Sequence, residues 1–144
     1  CNVQENCTLH MFPGKSVVLK DGAHVGHGAV IHGAELGVQV LVGMNSVVMD
    51  DVVLGDGSFV GALSLIPANK VFKPRSLIVG NPARRIKEVS DEMYNHKVEG
   101  TELYRKLPSE MNEISKEVEP LSESPANRIE DFPDFDTWMK RKEG

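Results

Sequence analysis

Three histidines stand within nine residues in "HVGHGAVIHG" (His24–Gly33), and His10 precedes them. Imidazole is the commonest metal ligand, so the spacing of these rings is the first clue to chemistry. His27 and His32 are five apart. That is not the i, i+4 spacing that puts two histidines on one face of a zinc-binding helix. Val30 and Ile31 lie between them, and β-branched residues favour strand over helix. The chemistry therefore depends on how the surrounding chain places separate strands.

From Leu19 the chain falls into blocks of six: LKDGAH, VGHGAV, the short IHGAE, then LGVQVL, VGMNSV, VMDDVV, LGDGSF and VGALSL. An aliphatic residue opens every block, from Leu19, Val25 and Ile31 to Val60. A small residue or Val usually stands four later, as at Ala23, Ala29, Val40, Ser46 and Val52. Val3, Cys7 and Leu9 continue the pattern upstream, before an insertion at "MFPGKS". A six-residue period is neither helical nor a plain alternation. It marks a solenoid, whose repeats bury their aliphatic residues only by stacking on their neighbours. The pattern over residues 2–66 resembles the hexapeptide-repeat proteins. That resemblance implies an all-β fold, a left-handed parallel β-helix of triangular cross-section, with three blocks in each coil of about eighteen residues.

His10 follows Leu9 as His32 follows Ile31, so the two share a phase. They are 22 residues apart, one coil plus the insertion. Residues of one phase on successive coils lie about one strand spacing (~4.8 Å) apart. Two imidazoles so placed can share a tetrahedral metal at ~2.0–2.1 Å per bond. His27 belongs to the preceding block, hence to another side of the triangle. Five extended residues span roughly 16 Å, too far for His27 to reach that metal easily within its own chain. A symmetric trimer removes the difficulty, because the His27 face of one prism meets the His10/His32 face of the next. A metal site is thus expected between subunits.

"NVQENCTLH", "GHGAVIHG" and "LVGMNSVVMD" resemble the γ-class carbonic anhydrase family, nearest its subfamily associated with phenylacetate and carnitine metabolism. The resemblance extends through "EVEPL" to about residue 121. It implies a homotrimer with three zinc-ligating histidines: His10 and His32 of one subunit, and His27 from its neighbour. It further implies that Gln4 lies beside the metal water, that Glu5 stands where the family usually has Asp, and that Asn2 matches the family's asparagine. Tyr104 is the best match for a tyrosine near the site on the C-terminal helix. The implied activity is the reversible hydration of carbon dioxide to bicarbonate. Three neutral imidazoles leave a metal position open for water, whose pKa falls towards ~7, and the hydroxide attacks carbon dioxide. Gln4 is expected to orient the hydroxide or the substrate. Glu5 is expected to accept a proton or to anchor a side chain across the interface. Zinc, ferrous iron and cobalt all accept three imidazoles.

Two departures qualify the match. Family members carry further coils before the "NVQ" motif, whereas the chain begins at Cys1 in mid-repeat. That suggests a fragment lacking N-terminal coils, whose first coil exposes an open edge. Members with fast hydration carry an acidic loop after the first ligand, whereas here the loop is "MFPGKS", so slow hydration is expected. Three rival readings follow: hydrolysis of an acyl-CoA thioester, a trimeric scaffold or accessory protein held by the metal, and a hexapeptide-repeat acyltransferase using one histidine as a base.

"LIVGNPARRIKEVSDEM" looks like the end of the solenoid. Gly80-Asn81-Pro82 breaks the chain. Ser90 followed by Asp91 and Glu92 reads as a helix N-cap with acids in the first turn. A helix is predicted at about 90–106, weakened by Gly100, with Pro108 ending or restarting it and "PSEMNEISKEVE" forming a second helical stretch. The divisions are a solenoid at 1–84, a helical segment at 85–119 and a tail at 120–144. In the tail Phe132, Phe135 and Trp138 suggest docking onto a neighbouring subunit.

Of the 21 acids, 6 lie in residues 1–84, so the first half has little charge to repel a partner subunit. A net charge of −5 without a basic patch argues against nucleic acid as a partner. No stretch has the length of a membrane span and no leader opens the chain, which predicts a cytoplasmic protein without a membrane partner. Cys1 and Cys7 are too few for a disulfide framework, and Cys7 is expected as a buried reduced thiol. His24, expected at a turn, and His96, on the helix, are expected to be solvated or to stand behind the site. Asp50, Asp51 and Asp56 look like turn acids.

Overall fold

The structure, a computed structural model, describes residues 1–123. Among these, short strands stack into three sheets that wind as a parallel β-solenoid of about four turns. One sheet stacks Asn2–Val3, His24–Val25, Leu41–Val42, Phe59–Val60 and Ser76–Gly80. The second stacks Thr8–His10, Val30–His32, Val47–Val48 and Leu65–Ile66. The third stacks Val18–Leu19, Glu35–Leu36, Val53–Leu54 and Val71–Phe72.

The block-opening aliphatics become columns down the interior. Val25, Val42 and Val60 are in register, as are Ile31, Val48 and Ile66, and Leu19, Leu36 and Leu54. All but Leu19 are buried. Each such side chain contributes about 1.5–3 kcal/mol of transfer free energy. Ile66, Phe72 and Ile78 keep the six-residue step, so the solenoid continues past residue 66, where the sequence pattern fades among "PANKVFKPRS". The buried serines hydrogen-bond to the backbone of the next coil: Ser46 Oγ donates to the Gly61 carbonyl at 2.9 Å, and Ser64 Oγ accepts from the Gly80 amide at 3.2 Å. Coils touch closely at Gly43, where a Cβ would meet the Ala62 nitrogen at 2.4 Å. The corners use backbone of positive φ, in columns such as Gly33–Asp51–Asn69 and Gly22–Gln39–Gly57–Arg75.

The solenoid ends in an antiparallel pairing that the sequence did not announce. Ala83–Glu88 ("ARRIKE") folds back on Ser76–Gly80. Helix α1 (Asp91–Ile114) follows. Ser90 caps it, its Oγ accepting from the Met93 amide at 3.2 Å. The helix passes both Gly100 and Pro108 and is longer than expected. Gly costs only ~1 kcal/mol in a helix interior, and Pro108 is flanked by good helix formers, Leu103, Arg105, Lys106, Leu107 and Met111. The start of α1 is fastened to one corner column. Arg75 pairs with Asp91 and lies 4.2 Å over the Tyr94 ring. Buried Lys97 donates to the Gly22 carbonyl, and to Gln39 Oε1 at 2.6 Å. Burial among these neutral partners pulls the Lys97 amine down to about 8.

Residues Cys1–Arg105 form one compact unit, and a second begins at Lys106. The described part of the second comprises the end of α1 and residues 115–123, which form neither helix nor strand. Phe132, Phe135 and Trp138 lie outside the described residues. No described helix is long and apolar enough to cross a membrane.

Candidate metal centre

The stacking of Thr8–His10 on Val30–His32 puts His10 directly against His32. Their side chains stand beside the buried Ile31 column and bring His10 Nδ1 within 3.0 Å of His32 Nε2. The other nitrogen of His32 is held: Nδ1 lies 2.8 Å from Asp50 Oδ1. A carboxylate accepts only, so His32 Nδ1 carries the hydrogen and the lone pair of the neutral ring sits on Nε2, toward His10. The Phe12 ring stands edge-on to His32 at a centroid distance of 5.0 Å. Phe12 belongs to the inserted loop, and Lys15 of that loop donates to both oxygens of Asp51 at 2.7 and 2.9 Å.

His27 lies in the turn after His24–Val25. Its Nδ1 lies 3.0 Å from Glu5 Oε2, and its amide donates to Gln4 Oε1 at 3.2 Å. Gln4 and Glu5 are thus gathered around His27 and not around the His10/His32 pair. Asn2 is in register with His24, its Nδ2 3.4 Å from His24 Nε2. Tyr104 packs its ring edge-on to His24 at 5.4 Å. Burial first, then the charges of Lys97 and His27, lower the His24 imidazole to about 4, so it is neutral at physiological pH. His24 is therefore a partly buried strand residue between Asn2 and Tyr104, not a solvated turn residue.

Within one chain, among the described residues, no three His, Cys, Asp or Glu side chains converge to hold an ion. The candidate residues form separate groups: His10 with His32, His27 with Gln4 and Glu5, and Tyr104 with His24 and Asn2. The donor chemistry fits a divalent ion all the same. Two nitrogens bound tetrahedrally at ~2.0–2.1 Å stand roughly 3.3 Å apart, close to the 3.0 Å between His10 Nδ1 and His32 Nε2. The Glu5 and Asp50 carboxylates supply the outer partners that ligating histidines usually have.

Asp50 and Asp51 are more than turn acids, contrary to the sequence reading. Asp50 engages His32, and Asp51 engages the loop that carries Phe12. Counting around the coil does not single out Asp50: the block at Ile31 is one residue short, Ile31 pairs with Val48, and the residue in phase with His32 is Met49, with Asp50 next to it. Asp56 does stand in a turn, and its carboxylate also ties neighbouring coils by accepting from the Val38 amide at 2.8 Å. Cys7 is a half-buried free thiol bonded to the Gly26 carbonyl. Lys97 carried no sequence signal, because a lysine within a charged helix is ordinarily solvated.

No protein-family model matches the chain. It is similar to the carnitine operon protein CaiE of Escherichia coli K12, with 36% identity over 127 residues, 88% of this chain and 65% of that protein. The chain thus spans less than two thirds of the length of that relative. Among solved structures it is similar to a Bacillus cereus protein described as a candidate acetyltransferase, with a TM-score of 0.75 and 32% identity over 79% of this chain and 66% of that one. A hexapeptide transferase family protein of Anaplasma phagocytophilum matches with a TM-score of 0.70 and 31% identity, over 76% of this chain and 64% of that one. These likenesses identify the solenoid as a hexapeptide-repeat left-handed β-helix.

Proposed function

The chain belongs to the hexapeptide-repeat family of the carnitine operon proteins, and on that premise we propose that it is a metal-dependent, carbonic anhydrase-like enzyme that hydrates carbon dioxide as a homotrimer. The observation that carries this reading is the approach of His10 Nδ1 and His32 Nε2 to 3.0 Å. His27 of a second copy supplies the third imidazole. A divalent ion held there, zinc in the first instance or else iron or cobalt, would acidify water towards neutral pH. Around it the chain's own groups divide the work. Asp50 and Glu5 orient rings. Gln4, beside His27, presents an amide to water or substrate. Phe12 presents an apolar face that favours a small uncharged substrate such as carbon dioxide. Tyr104, Asn2 and neutral His24 form a partly buried wall three residues from His27.

Acyl transfer is the second reading, favoured by the transferase descriptions of the two structural neighbours. It needs one histidine as a base and no metal. Thioester hydrolysis at the same metal and a purely scaffolding metal remain rivals of the hydratase. One sample decides among these. Protein purified anaerobically is assayed for metal, for carbon dioxide hydration by stopped flow, and for acyl-CoA hydrolysis and transfer. The expected result is one metal per chain and hydration above the buffer blank between about pH 6 and 9. A fully metallated trimer with no hydration in that range refutes the hydratase, and acyl transfer that survives chelation establishes the second reading.

A further inference from the structure

Asp50 stands one coil above His32 in a corner built around the bond between them. Met49 and Asp50 follow Val47–Val48, the strand stacked on Val30–His32. The His32 and Asp50 side chains are only 20% and 19% exposed. Gly33, next to His32, keeps the path open, since a Cβ there would lie 2.7 Å from Asp50 Oδ1. The Asp51 amide donates to the Gly33 carbonyl at 2.9 Å, which ties the corner to the coil below. Asp51 has φ of 56°, so the chain turns sharply after Asp50. The Asp51 carboxylate holds Lys15, in the loop whose Phe12 ring packs edge-on with His32.

We propose that Asp50 is a positioning residue for the metal site, fixing His32 as the Nδ1–H tautomer so that Nε2 faces His10. The proposal rests on the reading of His10 and His32 as ligands and adds what sets their geometry. Without an acceptor at Nδ1, the two tautomers of His32 compete and the ring loses its orientation. Outer partners of this kind typically contribute 10–100-fold in metal affinity.

The test uses the full chain. Affinity for zinc is measured by competition with a chelator in wild type, Asp50→Ala, Asp50→Asn and His10→Ala, with thermal melts to confirm folding. Nitrogen-15 NMR of the His32 ring is recorded on metal-free wild type and both Asp50 variants. Asp50→Ala should weaken zinc binding ~10–100-fold and mix the tautomers. Asp50→Asn, whose amide oxygen still accepts from Nδ1–H, should recover most of the affinity and the wild-type tautomer. If Asp50→Ala binds zinc as tightly as wild type while His10→Ala does not, Asp50 has no positioning role and the metal site stands. If His10→Ala also binds at wild-type strength, the metal site itself is refuted and the proposal falls with it. Should Asp50→Ala fail to fold, wild-type His32 found protonated on Nε2 overturns the proposal without it.

Discussion

Two histidine–carboxylate pairs of nearly equal length sit in different surroundings. His32 Nδ1 is 2.8 Å from Asp50, and His27 Nδ1 is 3.0 Å from Glu5. The first pair is mostly enclosed by the stacked coils, whereas the His27 and Glu5 side chains are 49% and 80% exposed. Distance alone would rank the two pairs as equals. An exposed pair is screened by water and salt and pays side-chain entropy to hold one geometry, so it contributes little in the isolated chain. An enclosed pair is prearranged by its neighbours. One half of the candidate site is therefore prearranged inside the chain, and the other half is exposed to solvent.

The harshest way to break both halves is to break the scaffold beneath them. Val42 is fully buried between Val25 and Val60. Val42→Asp buries a carboxylate with no partner, and it should leave no cooperative melt by circular dichroism. A soluble variant melting at the wild-type temperature would show that the column does not hold the coils.

The next largest effect separates ligands from their supports. His32→Ala should lower zinc affinity by more than the ~10–100-fold expected of an outer partner. His27→Ala should do the same and, on the proposal of a homotrimer, also shift sedimentation toward smaller species. A monomer that binds one zinc per chain as tightly as the trimer would remove His27 from the site.

The comparison itself is sharpened by Glu5→Ala beside Asp50→Ala. The Glu5 effect on zinc affinity should be the smaller in low-salt buffer and should shrink further as salt is raised, following the screening of exposed pairs. Equal losses at both positions would mean that an oligomer interface encloses Glu5 as thoroughly as the coils enclose Asp50.

The smallest effect concerns the His24 wall next to His27. The folded imidazole titrates at about 4, against 6.5 unperturbed. Below pH 6.5 the unfolded chain takes up a proton that the folded chain refuses. His24 therefore costs no stability above pH 6.5, costs progressively more as the pH falls to about 4, and adds no further loss below that. Melting temperatures of His24→Phe, which keeps an aromatic ring against Tyr104, should fall less steeply across this window than those of wild type. Parallel curves would show that His24 protonates freely in the folded protein.

Much of this was legible without coordinates because a solenoid is nearly one-dimensional. Residues of one phase must stack, so the six-residue step from Leu19 to Val60 predicted the aliphatic columns, and the shared phase of His10 and His32 predicted that they meet. The same rule sets Met49, not Asp50, over His32, because the block at Ile31 is one residue short and Ile31 pairs with Val48. Asp50, one residue further on, has no mark in the sequence that separates it from an ordinary corner acid. The strand Ala83–Glu88 left no such trace, since most of its residues are charged and only Ala83 is buried. Its pairing is decided by the open edge of Ser76–Gly80. Helix α1 had a legible start at Ser90, but its passage through Pro108 was not legible, because the residues on either side outweigh the local break.

The sequence by itself determined the period, and with it the stacking, the buried columns and the meeting of His10 with His32, because each depends only on counting residues around a coil. Only the tertiary structure decided which nitrogen of His32 faces His10, that Gln4 and Glu5 gather on His27, and that Lys97 is buried against Gly22 and Gln39. Those outcomes depend on rotamers and on contacts between residues from 18 to 75 positions apart, where small differences in packing and solvent exposure choose among partners that a repeat pattern treats as equivalent.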